Sequence, residues 1–144
     1  MIALDTNLLV YAHRRDVREH KAAQYLVEQA VVNSSGGYGI CWPSIPEFWS
    51  VVTAKTAAGG ATPPEEAERF IRGLFEGTSV QVWLPSRDLP LALARNATQF
   101  AVAGRRIFDL QIALIALENG ADEIWTHDGD FIRFPGLRIH DPLT

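Results

Sequence analysis

The sequence predicts an α/β fold: a three-layer α/β/α sandwich around a mainly parallel, five-stranded sheet. Short apolar runs of strand length alternate along the chain with longer segments whose apolar residues recur at helical spacing. This alternation is typical of strand–helix–strand units with parallel strands. The 144 residues, without internal repeats or low-complexity segments, are interpreted as a single domain spanning residues 1–144.

The predicted elements follow one another in a regular order. A buried strand ends at Asp5 and a first helix continues from it, and a later helix ends at Asn119–Gly120, a pair typical of a helix C-terminus. Other boundaries are predicted from an acidic first turn after Thr62–Pro63 and from Gly104, which closes the helix before it. The strands are expected at 2–5, 38–42, 79–84, 122–126 and 137–140, and the helices at 6–13, 17–32, 43–57, 62–77, 88–104 and 107–119.

The composition is that of a globular protein, with 47% hydrophobic and 21% charged residues. Thirteen basic and 17 acidic residues give a formal charge of −4, so the total charge does not suggest nucleic acid. No run approaches the roughly 20 apolar residues of a membrane helix, and the start lacks the basic region of a signal peptide. A single cysteine, Cys41, excludes an intramolecular disulfide framework and a cysteine-based zinc site. We therefore expect a cytoplasmic protein with no membrane association.

Five acidic residues stand where chemistry is expected, because ligands of open α/β sheets collect at the carboxyl ends of the strands. Asp5 closes the first strand and is equally well placed to cap the next helix. Glu47 follows Ser44 at the spacing of a capping box, which on its own favours a capping role. Asp128 and Asp130, in "THDGDF", are ordinary turn residues as well as candidate ligands.

Asp109 is the hardest of these acids to explain structurally. It lies early in "IFDLQIALIAL" (107–117), a helix that is apolar nearly all round and is expected to be buried. An unpaired carboxylate there would cost several kcal/mol or take up a proton, so it needs a cation, a cluster of donors or an opening to water.

Carboxylates that meet at one edge of the sheet repel one another unless divalent cations neutralise them. Oxygen ligands favour Mg²⁺ or Mn²⁺ over zinc or copper, and such ions activate water for attack on phosphate. The residues alone therefore suggest metal-dependent hydrolysis of phosphodiester bonds.

Three segments together resemble the PIN-domain ribonucleases, and more narrowly the VapC toxins of type II toxin–antitoxin systems. "MIALDTNLLVYA" is similar to the opening strand and Asp-Thr-Asn turn of that family, "PSIPEFWSVVT" to its glutamate-bearing helix, and "FDLQIALIALENGADEIWTHDGDF" to its C-terminal signature. The resemblance covers nearly the whole chain. It implies that Asp5, Glu47, Asp109 and Asp128 form an acidic quartet around Mg²⁺, for which Mn²⁺ is a possible substitute, with Asp130 as a possible accessory ligand and Thr6, Asn7 and Thr126 in supporting roles.

The same resemblance implies an endoribonuclease that cleaves single-stranded RNA, with transfer RNAs or ribosomal RNA loops as the target class. It also implies a VapB-type antitoxin as partner and a homodimeric assembly. Basic side chains are the candidates for phosphate contacts, although solvated surface residues would give the same pattern. These candidates are Arg14, Arg15, Arg18, Lys21, Arg105 and Arg106.

Other readings explain the sequence less well. A receiver domain needs a lysine late in the chain, but the only lysines are Lys21 and Lys55. A haloacid-dehalogenase-like phosphatase needs a second aspartate at the position of Asn7, and the G-x-x-x-x-G-K motif of P-loop enzymes is absent. The alternative that stays open is a non-catalytic RNA-binding or scaffold module of the same fold.

Overall fold

A computed structural model describes residues 1–30, 37–57 and 59–144, and in it five strands form one sheet. The sheet order is β3-β2-β1-β4-β5, and every neighbouring pair is parallel, as the sequence predicts. The strands are shorter than the apolar runs from which they were predicted. They are β1 (Ile2–Leu4), β2 (Tyr38–Cys41), β3 (Gln81–Trp83), β4 (Glu123–Trp125) and β5 (Arg138–His140).

Six α-helices and one π-helical turn, Leu26–Ala30, connect the strands of the described residues. The α-helices are α1 (Thr6–His13), α2 (His20–Tyr25), α3 (Ser44–Thr53), α4 (Pro64–Gly77), α5 (Leu89–Gln99) and α6 (Arg106–Glu118).

Alternate residues of the central strands point into two separate hydrophobic cores. Ala3 of β1 joins the core that contains Leu110 and Ile115 of α6, whereas Leu4 joins the core that contains Leu8 of α1 and Phe48 of α3. Since successive strand residues face opposite sides of a sheet, helices must cover both faces. The α5 and α6 helices cover one face and α1 to α4 the other, which gives the predicted three layers.

Several predicted helix boundaries are wrong. The helix predicted at 17–32 begins only at His20 and widens into the π-helical turn, and residues 31 and 32 lie outside the described residues. The helix predicted at 43–57 ends at Thr53 because Ala54 is extended, and the Val52 carbonyl accepts from the Thr62 amide at 2.7 Å. The predicted start at Thr62 shifts to Pro64, with Pro63 as the N-cap.

Two helices end in the same hydrogen-bonding motif, but only one does so at the predicted glycine. After α6, Gly120 has φ +90° and Ala121 donates to the Ala116 carbonyl at 3.0 Å, as in a Schellman motif. After α5, Ala101 takes that position with φ +51°, and Val102 donates to the Ala97 carbonyl at 2.8 Å. The α5 helix therefore ends well before Gly104.

The order of the strands creates a crevice beside β1. The chain adds β2 and β3 on one side of β1 and then returns to add β4 and β5 on the other. At such a switch point the connections leave in opposite directions and open a space at the carboxyl ends of the two strands. Leu4 pairs with Trp125, and the Asp5 amide donates to the Trp125 carbonyl at 3.0 Å, so Asp5 lies at this edge.

No helix in the described residues is both long and apolar enough to cross a bilayer.

Candidate active site

Asp5 is held by hydrogen bonds to both of its carboxylate oxygens. Its Oδ1 accepts from the Thr6 amide at 2.8 Å, and its Oδ2 accepts from the Thr126 hydroxyl at 2.7 Å. Burial raises the pKa of Asp5 to about 6, against the lowering effect of these two donors, and the negative charges of Glu47 and Asp109 raise it further. Asp5 thus caps α1 and also belongs to an acidic cluster, so the two interpretations of this residue coexist.

Thr126 links the turns that follow β1 and β4. Besides donating to Asp5, its Oγ1 accepts from Asn7 Nδ2 at 3.1 Å and from the Asp128 amide at 3.0 Å. Asn7 Oδ1 in turn accepts from the His127 amide at 3.3 Å. Thr126 is fully buried, which leaves its hydroxyl few alternative partners. The network fixes the positions of both turns relative to each other.

Glu47 and Asp109 come from the first turns of α3 and α6. Partial desolvation raises the pKa of Glu47, and the negative charge of Asp109 adds to this rise while Arg105 opposes it. Desolvation also raises the pKa of Asp109; the Ile132 amide opposes this rise, Asp128 adds to it, and Arg106 opposes it. The carboxylates are therefore close enough to affect one another.

The capping box predicted from Ser44 and Glu47 does not form. A capping box would need Ser44 as the N-cap. Pro43 is instead the N-cap and has helical backbone angles, so α3 begins at Ser44 itself. Within the described residues, the buried Ser44 hydroxyl has no hydrogen-bond partner. Glu47 is left to face the cleft.

Asp128 and Asp130 differ in position although both belong to the predicted acidic turn. Asp128 Oδ1 accepts from the Asp130 amide at 2.9 Å, which stabilises the turn, and Asp128 lines the cleft. Asp130 is exposed and is not among the residues that line the cleft.

One cleft of about 430 Å³ brings together the acidic quartet and its supporting side chains. Two aromatic residues and His127 share its walls. The lining residues are Asp5, Thr6, Asn7, Tyr11, Glu47, Phe108, Asp109, Ile112, His127 and Asp128.

The chemistry of this cleft fits a divalent cation. Its acidic donors are all oxygens, which Mg²⁺ and Mn²⁺ prefer. Burial raises the pKa values of Asp5, Glu47 and Asp109, and neighbouring carboxylates add to each rise. Thr6 is buried, and its hydroxyl lies close enough to Glu47 to lower the pKa of that carboxyl. Across those same residues, no three acidic, histidine or cysteine side chains are already grouped to hold an ion. The acids share a cleft but are not preassembled around a cation.

The basic candidates fall into different places. Arg14 is buried, and its guanidinium donates to the Gly60 carbonyl at 2.8 Å and to Asp16 at 3.2 Å, so its donors are engaged inside the protein. This burial argues against the prediction that Arg14 contacts RNA. Arg105 and Arg106 are exposed at the start of α6, next to the acids whose pKa values they lower. The other candidates, Arg15, Arg18 and Lys21, are exposed and lie outside the acidic cleft.

Four residues that line the cleft were not among the candidates from the sequence: Tyr11, Phe108, Ile112 and His127. Tyr11 stands four residues after Asn7, a helical spacing that could have placed it beside the motif. His127 Nδ1 forms a hydrogen bond with Asp141 Oδ2 at 2.8 Å, and the His127 ring packs edge-on against Tyr11. Phe108 was expected in the core with the rest of its helix, but 58% of its surface is exposed.

Comparison with known proteins agrees with the fold. The family described as the PIN domain matches residues 2–137. Ribonuclease VapC43 of Mycobacterium tuberculosis is 32% identical over 143 residues, covering 99% of this chain and 96% of the relative. Ribonuclease VapC48 of the same organism is 29% identical over 140 residues, covering 97% and 96%.

Two crystal structures share the architecture at lower sequence identity. Mycobacterium tuberculosis VapC20, described as a sarcin-ricin loop cleaving toxin, aligns with a TM-score of 0.66 and 16% identity, covering 91% of this chain and 92% of that one. VapBC2 of Rickettsia felis, bound to a DNA fragment from its promoter, aligns with a TM-score of 0.61 and 20% identity, covering 97% and 98%.

Proposed function

The chain belongs to the PIN-domain family, and from this premise we propose that it is a metal-dependent endoribonuclease that hydrolyses RNA phosphodiester bonds. The observation that carries the proposal is the shared cleft of Asp5, Glu47, Asp109 and Asp128 at the switch point of the sheet. The ribonuclease names of the relatives at 29–32% identity support the same reaction class.

In the proposed mechanism the acidic quartet holds Mg²⁺ or, as a substitute, Mn²⁺. When bound, such an ion activates a water molecule and stabilises negative charge at the phosphate. Asp5 contributes a carboxylate whose orientation is fixed by Thr6 and Thr126. Glu47, Asp109 and Asp128 line the same cleft from three other segments and would hold the ion together with Asp5.

The supporting polar residues help to position the acidic side chains. Asn7 holds the Thr126 hydroxyl and the His127 amide, which sets the distance between the two turns. Substitution of residues that orient metal ligands commonly lowers metal affinity by roughly 10- to 100-fold. We expect a loss of that size when Asn7 or Thr126 is replaced. Arg105 and Arg106 add positive charge beside the cleft, where the RNA backbone would pass.

We further propose that the enzyme is the toxin of a toxin–antitoxin pair with a VapB-type partner, and that it assembles as a homodimer. Support for the partner comes from the VapC relatives and from the names of two structural neighbours, VapBC2 and FitAB, each bound to DNA. Transfer RNA or ribosomal RNA is the proposed target class.

The direct test is incubation of the purified protein with total RNA in Mg²⁺ and in EDTA. We expect cleavage in Mg²⁺ only, and its loss in Asp5→Asn, which keeps the size of the side chain but removes its charge. Asp122→Asn is the matched control, because Asp122 is an exposed acid that pairs with the N-terminus, away from the cleft. Equal cleavage by wild type and Asp5→Asn, or its persistence in EDTA, would contradict the proposal, and RNA binding without cleavage would favour a non-catalytic module.

A further inference from the structure

Phe108 is an exposed aromatic ring in a helix that is otherwise packed into the core. Although 58% of its surface is accessible, it belongs to neither hydrophobic core, whereas its neighbour Ile107 packs against one of them. No ring contact involves Phe108 among those formed by the described residues. The fold therefore has no evident use for this ring.

The ring lies at the mouth of the acidic cleft. Phe108 lines that cleft together with Asp5, Glu47 and Asp109, and it directly precedes Asp109 in the chain. A phenyl ring has no oxygen, nitrogen or sulfur atom with which to coordinate a metal ion. It offers instead a flat face next to the place where a phosphate would be held.

Two arginines, Arg105 and Arg106, precede Phe108 at the start of α6. Arg105 lowers the pKa of Glu47 and Arg106 lowers that of Asp109, so both guanidinium groups lie within electrostatic reach of the cleft. Arg105 is itself in helical conformation, and residues three and four apart on a helix lie on one side. Arg105, Phe108 and Asp109 have that spacing. A cation, a ring and an acid thus stand together on one side of the helix.

We propose that Phe108 is a stacking platform for a nucleobase of single-stranded RNA beside the cleaved phosphate. The proposal rests on the proposed function, because it assigns the other parts of a nucleotide to the acids and the arginines. Aromatic side chains beside cationic ones are the usual means of binding single strands, since every base has a face that can stack. A duplex keeps its bases stacked on one another, so such a platform favours unpaired RNA.

A protein partner is the competing occupant of this ring. The centres of protein interfaces are depleted of charged residues. Phe108 instead shares its cleft with several carboxylates, and Arg105 and Arg106 lie within electrostatic reach of two of them. This charge pattern matches the alternating base and phosphate of a nucleotide chain better than the apolar surface of a partner.

The test compares three variants in two binding assays. Phe108→Leu removes the ring and keeps an apolar side chain, whereas Phe108→Trp keeps an aromatic face. Phe100→Leu is the matched control, because Phe100 is also exposed but packs against Phe134 and lines another cleft. The probes are a fluorescein-labelled single-stranded oligoadenylate and an abasic oligonucleotide of the same length, measured by anisotropy in EDTA so that metal-dependent cleavage does not interfere.

We expect Phe108→Leu to weaken oligoadenylate binding between about five-fold and about 100-fold, the range that loss of one stacked base gives. Phe108→Trp and Phe100→Leu should bind it as wild type does. All four proteins should bind the abasic probe equally, because that probe keeps the charge and lacks the bases. A merely structural role of Phe108 would weaken both probes together.

The proposal is overturned if Phe108→Leu binds oligoadenylate as tightly as wild type, or loses both probes to the same extent. A change in oligomeric state on size-exclusion chromatography, with RNA affinity intact, would assign the ring to a protein interface. Cleavage of total RNA in Mg²⁺ separates the two proposals. If wild type cleaves RNA and the variants bind alike, only the stacking fails; if the predicted binding pattern appears without cleavage, only the proposed function fails.

Discussion

The Thr126 hydroxyl donates a hydrogen bond of 2.7 Å to Asp5 Oδ2, joining residues 121 positions apart at the ends of β4 and β1. The same oxygen accepts from Asn7 and from the Asp128 amide. One buried hydroxyl therefore positions two members of the acidic quartet, and its removal affects both of them.

Thr126→Val tests this link, because valine keeps the shape of threonine and lacks the hydroxyl. We expect the free energy of unfolding to fall by about 1–3 kcal/mol, since two buried donors lose their acceptor. RNA cleavage should fall as well, because Asp5 loses the donor that fixes it. Urea unfolding and the rate of RNA cleavage measure the two effects. Thr126→Ser should retain most of both, and wild-type activity in Thr126→Val would show that the hydrogen bond does not position Asp5.

The raised pKa of Asp5 predicts a pH-dependent stability in the absence of metal. Its value is about 6 in the folded protein, against an ordinary value of 3.8. Between about pH 4 and about pH 6 the folded protein holds a proton that the unfolded chain has released, so stability falls as the pH rises through this window, by up to about 3 kcal/mol.

Urea unfolding in EDTA at several pH values measures this effect, with Asp5→Asn as the reference. The variant has no proton to lose at this position, so its stability should decline less than that of wild type over the same range. Parallel pH profiles for the two proteins would contradict the raised pKa.

Divalent cations should stabilise the folded protein at neutral pH. A ligand that binds only the folded state at 100 times its Kd adds about 2.7 kcal/mol. We expect Mn²⁺ and Mg²⁺ to raise the Tm of wild type, and Asp128→Asn to reduce the rise. Asp130→Asn should keep it, because Asp130 lies outside the cleft and its turn hydrogen bond uses only the backbone. If thermal unfolding shows that both variants lose the metal-dependent rise in Tm to the same extent, Asp130 is a ligand as well.

Arg14 and Arg105 should respond oppositely to substitution. Arg14→Met removes the hydrogen bond to Gly60 and the contact with Asp16, so we expect a loss of stability of about 1–3 kcal/mol. Arg105→Gln should leave stability nearly unchanged and weaken RNA binding, with a smaller dependence on salt. Chemical unfolding and salt titrations of RNA binding separate the roles. A reduced salt dependence in Arg14→Met, with stability intact, would restore Arg14 as a phosphate contact.

Gly39 tests how closely β2 approaches the side chain of Trp83. A Cβ at Gly39 would overlap the buried indole of Trp83, so we expect Gly39→Ala to cost about 1–3 kcal/mol of stability. Gly73→Ala is the matched control, because an added Cβ on that face of α4 meets nothing, and alanine favours a helix by roughly 0.5–1 kcal/mol. Urea unfolding of both variants checks the predicted opposite signs.

The sheet and the general place of the acids could be predicted because both depend on patterns that are local in sequence. Asp5 ends a strand, and Asp109 is a charge in an apolar helix, so each stands out from its own surroundings. The hydrogen bond from Thr126 to Asp5 was not visible in this way, because it depends on β4 returning to lie beside β1.

Predictions from local sequence patterns were wrong where a residue outside the pattern determines the conformation or the contacts. The spacing of Ser44 and Glu47 is that of a capping box, but the helical conformation of Pro43 moves the start of α3 by one residue. Arg14 lies in a charged stretch that is typical of the protein surface, yet its guanidinium donates to the carbonyl of Gly60, 46 residues away. Phe108 belongs to a helix that is apolar nearly all round, so it was assigned to the core with its apolar neighbours Ile107 and Leu110.

The pairing of β1 with β4 also determines when the site can exist during synthesis of the chain. Asp5 follows β1, the first strand of the sheet along the chain, but its partner Thr126 follows β4, the fourth. Contacts between residues so distant in sequence form late, after most of the chain is present. A nascent or truncated chain that ends before β4 has three of the four acids and no arrangement of them. If the enzyme damages the RNA of the cell that makes it, that activity begins only after β4 has been synthesised.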